Sequence, residues 1–306
     1  MHGGIHGPAR LVPCFVGREV LMGLESAAAE QARRGGVIPT TILAARDGLF
    51  QERTDWLAVE AALEIRARGL NEEPVVVAVT MRTPGRDVDL AAGFLFTEGL
   101  IRSREDLSDP VARASLIEGE TDASVIEVRL SRQFKQDWVA RNFLATSSCG
   151  VCGKATLDRV SVGCRPVTSR LELKSSVLVS LPETLRRSQT AFDQSGGLHA
   201  AGLFDSAGSL ILACEDIGRH NAVDKVIGRM LLESRLPLEN HILLVSGRLS
   251  FEILQKAAMA GVSIVAAVSA PSSLAVQAAQ RLGVTVVGFL RGASFNVYTY
   301  SERIDP

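Results

Sequence analysis

The rhythm of apolar positions changes along the chain. Residues 1–36 mix Gly, Pro, Ala and charge without sustained periodicity, although the Ala-rich stretch at 20–32 has the make-up of a short helix, and they read as a flexible N-terminal tail. From Val37 onward, β-branched runs predict strands, among them Val75-Val76-Val77-Ala78-Val79 and Val125-Ile126-Glu127-Val128-Arg129-Leu130. Between these, Thr83-Pro84-Gly85-Arg86-Asp87-Val88-Asp89-Leu90 combines an N-cap, a first-turn proline and early acids. That combination predicts a helix from Pro84 to Glu98. Asp137 to Arg165 is irregular and reads as a loop between domains.

Beyond the loop the pattern becomes regular. It predicts a helix from Pro182 to Gln194 and a hairpin of strands 198–204 and 209–215 around Asp205-Ser206-Ala207-Gly208. It then predicts helix 221–233, strand 241–246, helix 250–260, strand 262–269, helix 271–282 and strand 284–290. These last strands are near-continuous Val/Ile/Leu/Ala runs, as burial on both faces requires.

This order gives an α/β fold class: a three-layer cytidine-deaminase-like domain with a mixed sheet over residues 170–306, its right-handed crossovers putting helices on both faces. Before it come the tail (1–36), a smaller N-terminal α+β domain (37–140) and a loop and linker (141–169). The two places where zinc deaminases carry their ligands hold His220-Asn221-Ala222, with no Glu, and Ser246-Gly247-Arg248, with no Cys. Deamination and bound zinc are not expected.

Composition narrows the function classes. The 306 residues carry 33 Lys+Arg against 34 Asp+Glu, a formal net charge of -1, which argues against a dedicated nucleic-acid binder. Of the basic residues 28 are Arg and five Lys, a bias that suits phosphate contacts but equally reflects genome composition. No apolar stretch approaches the roughly 18 residues of a membrane span, and the N-terminus has no secretory pattern. Together with five scattered cysteines, Cys14, Cys149, Cys152, Cys164 and Cys214, this gives a cytoplasmic expectation.

Candidate chemistry falls in three places. Cys149-Gly150-Val151-Cys152 brings two sulfurs close enough for disulfide exchange, metal chelation or sulfur relay, or is simply two thiols in a turn. A zinc site needs about four ligands and the other cysteines are isolated; a Gly- and Ser-flanked loop suits a carrier better than a thioredoxin-like site. The run from Glu215 to Lys225 sets seven polar or charged groups at a strand-to-helix junction, where α/β sheets bind ligands, and places His220 and Asp224 one helical turn apart, able to pair. It is also consistent with a capped, salt-bridged helix start. His199 is undecided between sheet and site, and His241 reads as structural. Finally, Ser246-Gly247-Arg248, Ser269-Ala270-Pro271-Ser272-Ser273 and Phe289-Leu290-Arg291-Gly292-Ala293-Ser294 each follow a predicted strand. If those strands are parallel, the three segments meet at one sheet edge fit for phosphate. Neither a Walker A pattern nor G-x-G-x-x-G is present.

Several of these segments, in this order, resemble the FdhD family of sulfur carriers required for formate dehydrogenase activity. The matching residues are Met81-Arg82-Thr83-Pro84-Gly85, Leu90 to Gly99, Ser148-Cys149-Gly150-Val151-Cys152-Gly153-Lys154, Gly197-Leu198-His199-Ala200-Ala201, Glu215 to Lys225, Ser246-Gly247-Arg248, Ser269 to Ala275 and Gly288-Phe289-Leu290-Arg291. The resemblance covers about residues 37 to 300.

The resemblance implies a sulfurtransferase that takes sulfur from a cysteine desulfurase as a persulfide and passes it to the molybdenum cofactor, in its bis(molybdopterin guanine dinucleotide) form, for formate dehydrogenase. It implies Cys149 as the persulfide carrier and Cys152 as a relay. It implies Phe289, Leu290, Arg291, Gly292, Ala293 and Ser294 as the cofactor contact loop, with the family's basic and glycine residues shifted inside it. The physical reading adds Arg248 beside Arg291 for the phosphates, Lys154 beside the anionic sulfur, and a guanine nucleotide as a mimic of the cofactor's tail. A homodimer is compatible with the sequence. Two other classes stay open: a C-x-x-C disulfide reductase and a non-catalytic chaperone of the cofactor.

Overall fold

The computed structural model describes residues 36–116, 124–134 and 166–306. The tail, Cys14, the loop with Cys149, Cys152 and Lys154, and Cys164 lie outside the described residues.

The chain opens with a hairpin, β1 (Val37–Arg46) and β2 (Leu49–Ala58), in register from Val37↔Ala58 to Arg46↔Leu49. Asp47 and Gly48 at its tip have φ of 51° and 80°, the two positive values that a two-residue turn of the right twist demands. A four-stranded sheet follows, made of β3 (Ala61–Arg68), β4 (Val75–Arg82), β5 (Leu107–Leu116) and β6 (Ser124–Leu130), in the order β4-β3-β6-β5. Alternation in β3 turns Leu63, Ile65 and Ala67 inward, and alternation in β6 does the same for Ile126 and Val128. This inward face packs on helix α1 (Asp87–Thr97).

Helix α1 starts later than the sequence pattern predicts, and Thr83 is not its cap. The Thr83 hydroxyl donates to the Val59 carbonyl at 3.0 Å and accepts from the Ile217 amide at 3.1 Å. Gly85 and Arg86, at φ 104° and 57°, turn the chain before Asp87 and Asp89 open the helix.

The second half begins with β7 (Leu173–Lys174), α2 (Ser175–Arg187) and α3 (Thr190–Ser195). The expected helix from Pro182 to Gln194 is therefore two helices, with Pro182 inside the first. Leu178, Leu181 and Leu185 form a buried stripe at helical spacing, and that burial outweighs the one backbone bond the proline removes. Next come β8 (His199–Phe204), β9 (Leu210–Asp216), α4 (Arg219–Leu232), β10 (Ile242–Val245), α5 (Phe251–Met259), β11 (Ile264–Ala267), α6 (Ser273–Leu282) and β12 (Thr285–Arg291). These match the expected order to within a few residues. An unexpected β13 (Ser294–Thr299) pairs antiparallel with β12, and a short β14 (Ile304–Asp305) pairs with β7.

The six-stranded sheet has the order β13-β12-β11-β10-β8-β9, with β10, β11 and β12 parallel and the others antiparallel. It is the mixed sheet of the expected cytidine-deaminase-like domain. One detail differs: β10, β11 and β12 step across the sheet in a single direction, so their right-handed crossovers leave α5 and α6 on one face with α4. Helix α2 covers the opposite face.

One apolar core runs from Leu63 and Ile65 through α1 and α4 to Leu243 and Val265 of the larger sheet. Helices α1 and α4 meet backbone to backbone: a Cβ on Gly93 would overlap the Asp224 carbonyl, and one on Gly228 would overlap that of Asp89. Among the described residues no helix is long and apolar enough to cross a membrane.

Candidate functional site

Because β10, β11 and β12 are parallel neighbours, Ser246-Gly247-Arg248, Ser269-Ala270-Pro271 and the end of β12 emerge along the same edge of the sheet. The antiparallel partners add to it, since His199 at the start of β8 pairs with Asp216 at the end of β9. Short bonds knit the edge together. Ser246 Oγ accepts from the Ala200 amide at 2.9 Å, Leu249 N–H donates to the Ala270 carbonyl at 3.1 Å, and Phe289 N–H donates to the Ser269 carbonyl at 3.1 Å.

The start of α4 is anchored from below. Asp216, fully buried, pairs with Lys225 Nζ at 2.6 Å and accepts from the Gly218 amide at 2.8 Å, the Thr83 amide at 3.2 Å and Asn221 Nδ2 at 3.0 Å. Lys225 also donates to the Thr83 carbonyl at 2.9 Å. Much of the polar run from Glu215 to Lys225 is thus a scaffold that fixes α4 against the turn before α1.

His220 and Asp224 do not pair. Asp224 turns inward to Thr97 Oγ1 at 2.8 Å and Lys256 Nζ at 2.9 Å, while His220 Nε2 lies 2.9 Å from Glu252 Oε2 and 3.2 Å from Ser250 Oγ. The bond from His220 holds the Glu252 carboxyl below its ordinary range. Ser250 also caps α5 through the Ile253 amide. Glu252 has no motif of its own in the sequence. Its only signal is its place in the first turn of a helix that leaves the same edge.

The six residues of the expected contact loop are not a loop. Phe289, Leu290 and Arg291 end β12, Gly292 and Ala293 turn the hairpin, and Ser294 opens β13. Phe289 sits at a register shift with φ 54° and is 41% exposed. Arg291, Gly292, Ala293 and Ser294 are exposed, and Arg291 Nε donates to the Val268 carbonyl at 2.9 Å. Leu290 is fully buried in the core on the α2 side, so its side chain is a packing residue and not a contact. Arg248 is exposed on the segment after β10.

His199 is half-buried beside Gly247, where a Cβ would stand 3.3 Å from its Nδ1. Burial, reinforced by Arg219 and His220, holds its pKa below the ordinary histidine value. Cys214 is 2% exposed, and burial pushes its thiol up to about 11, so it is no nucleophile at neutral pH. Among the described residues no three His, Cys, Asp or Glu side chains come together closely enough to hold a metal ion. A groove of about 750 Å³ lined by Phe96, Ile101, Pro166, Pro237 and Gly261 lies at the opposite end of the sheet, beside the segments leading into β10 and β11. Arg102, Arg104, Glu105 and Glu239 also line it, but it lacks the converging helix starts of the edge described above.

The chain is similar to known proteins along most of its length. The sulfur carrier protein FdhD of Streptomyces coelicolor is 48% identical over 269 residues, covering 86% of this chain and 94% of its own. That of Mycobacterium tuberculosis is 50% identical, covering 82% and 92%, and that of Saccharolobus solfataricus 44%, covering 85% and 95%. A crystal structure from Desulfotalea psychrophila, provisionally assigned as a formate dehydrogenase accessory protein, superposes with a TM-score of 0.67 at 26% identity, covering 88% of this chain and 99% of its own. The profile of the FdhD/NarQ family matches residues 58–305, from the end of β2 to β14. With relatives near half identity along more than four fifths of its length, the chain belongs to the FdhD/NarQ family.

Proposed function

We propose that this chain is a sulfur carrier that takes sulfur from a cysteine desulfurase onto Cys149 and passes it to the molybdenum cofactor, in its bis(molybdopterin guanine dinucleotide) form, for formate dehydrogenase. The observation that carries this reading is the near-half identity to proteins named sulfur carrier protein FdhD. The accessory-protein neighbour supports the destination.

In the first step the Cys149 thiolate attacks the outer sulfur of the donor persulfide. The donor S–S bond breaks, a new S–S bond forms on Cys149, and the donor cysteine leaves as a thiolate, with no net oxidation. The outer sulfur can move to Cys152 by the same exchange before it reaches the acceptor. The molybdenum cofactor is here a substrate, and its guanine dinucleotide arms carry phosphates. The sheet edge offers them exposed Arg248 and Arg291, the backbone of Phe289 and Leu290, and the unobstructed turn at Gly292, Ala293 and Ser294.

The test has two readouts. After incubation with a cysteine desulfurase and cysteine, mass spectrometry should find one added sulfur, about 32 Da, on Cys149 and none in the Cys149→Ala variant. GDP, as a mimic of the cofactor arm, should bind, with Arg291→Ala weakening it by roughly 1.5 to 3 kcal/mol. Added mass that maps to Cys164 or Cys214, or a Cys149→Ala variant that restores formate dehydrogenase activity in full, would overturn the transfer mechanism.

A further inference from the structure

We infer that Arg219 and His199 form a second anion subsite on the sheet edge, built to take a pyrophosphate group. The inference rests on the reading of this edge as the place for the cofactor's arms, and adds residues and a second position to it.

Arg219 is the first residue of α4, a 14-residue helix with no acid in its first turn and no side-chain cap at Gly218. Its Nε is buried and has no hydrogen-bond partner. A guanidinium has five N–H donors in a fixed fork, and burying one without an acceptor is unfavourable unless something else supplies the acceptor. A positive side chain at a helix N-terminus also opposes the helix dipole, which favours an anion there. The neighbouring carboxylate does not fill that role, because Glu252 is bonded to His220 at 2.9 Å.

His199 completes the pair. Its ring makes no hydrogen bond among the described residues. Gly247 faces both side chains: a Cβ there would stand 3.3 Å from His199 Nδ1 and 3.9 Å from Arg219 Cδ. The absence of a side chain at Gly247 therefore leaves room beside His199 Nδ1 and the stem of Arg219. Three groups that favour an anion, the guanidinium, an imidazole and the first N–H groups of α4, share this corner of the edge.

The corner is separate from Arg291. Strands β8 and β12 stand three steps apart in the sheet, about 14 Å at the usual spacing of paired strands. A ligand with two phosphate-bearing arms can therefore meet Arg291 with one arm and Arg219 with the other.

The full chain is titrated calorimetrically with inorganic pyrophosphate and, separately, with GDP. Pyrophosphate should bind the wild type, bind at least tenfold more weakly to Arg219→Gln, and be partly rescued in Arg219→Lys, while Arg248→Ala/Arg291→Ala retains Arg219-dependent pyrophosphate binding. His199→Gln, with melting temperatures recorded for every variant, provides a second test that leaves the helix start intact. Pyrophosphate binding unchanged in both Arg219→Gln and His199→Gln would overturn the subsite, as would a wild type that binds GDP but no pyrophosphate. Either result leaves the sulfur-carrier reading standing. That reading fails on its own evidence, if Cys149 gains no sulfur.

Discussion

Lys256 of α5 and Asp224 of α4 are ion-paired at 2.9 Å with both side chains almost sealed from water. Thr97 and Glu98 at the end of α1 join them, at 2.9 Å and 3.1 Å from Lys256 Nζ. Burial works against the lysine's charge, but Asp224 and Glu98 outweigh it and hold its pKa above the ordinary value. Lys256→Met should leave a buried carboxylate without its partner and destabilise the protein by about 3–5 kcal/mol. Lys256→Met combined with Asp224→Leu should recover much of that loss, since a matched apolar pair removes both charges together. Urea denaturation of the two variants checks this. A single variant as stable as the wild type would remove the pair from the account of how three helices are held together.

The close crossing of α1 and α4 should tolerate no side chain at Gly93 or Gly228, because each glycine faces a backbone carbonyl of the other helix. Gly93→Ala and Gly228→Ala should each cost at least about 2–3 kcal/mol, as the helices must move apart within a shared core. Thermal melting measures this directly. An unchanged melting temperature would mean that the helices separate freely.

Cys214 should resist alkylation by iodoacetamide at pH 8 in the folded protein and react once urea is added. Its thiol is buried in β9 and its pKa of about 11 leaves almost no thiolate. Labelling of native Cys214 at the rate of a free thiol would contradict this, and would reopen the question of which cysteine takes up sulfur.

Stability should fall as the medium becomes mildly acidic. Burial, with Arg219 and His220 on the same side, holds the folded His199 pKa below the ordinary value, and Asp216 only partly opposes this. The unfolded chain therefore takes up a proton near pH 6.5 that the folded protein resists. The contribution is fully present above that pH and is lost below it. His241 is lowered by burial in the same way, with Arg235 adding to the effect. Melting temperatures between pH 7.5 and pH 5, where most carboxylates stay ionised, should drop less steeply in His199→Gln and least in the His199→Gln/His241→Gln double variant. Equal slopes in all three proteins would refute the assignment.

The elements most legible in the sequence are those whose burial is two-sided. Strands β10, β11 and β12 are uninterrupted apolar runs, and their order alone gives the mixed sheet and the shared edge. Less legible are elements whose evidence is divided. The β1–β2 hairpin carries Asp47-Gly48, the strongest short turn signal available, but Leu43, Leu49 and Phe50 are exposed and the strands lack a clean alternation. Strand β13 does alternate, with Phe295 and Val297 toward the core and Asn296 and Tyr298 exposed, but it is short and polar at its start. At the site, spacing along one helix suggested His220 with Asp224, whereas Lys256 and Glu252 reach those residues from α5. Such partnerships depend on how elements pack, and one-dimensional spacing does not encode packing.

The continuous core from β3 to β11 has a consequence for dissecting the molecule. A fragment ending after β6 would expose the α4-facing side of α1, including the unshielded backbone beside Gly93, to water. A fragment starting at β7 would leave Asp224 and Lys256 without Thr97 and Glu98. Neither piece retains a closed interior, so both should be prone to aggregation, and loss of activity on cutting the chain would measure failed folding rather than the location of the chemistry.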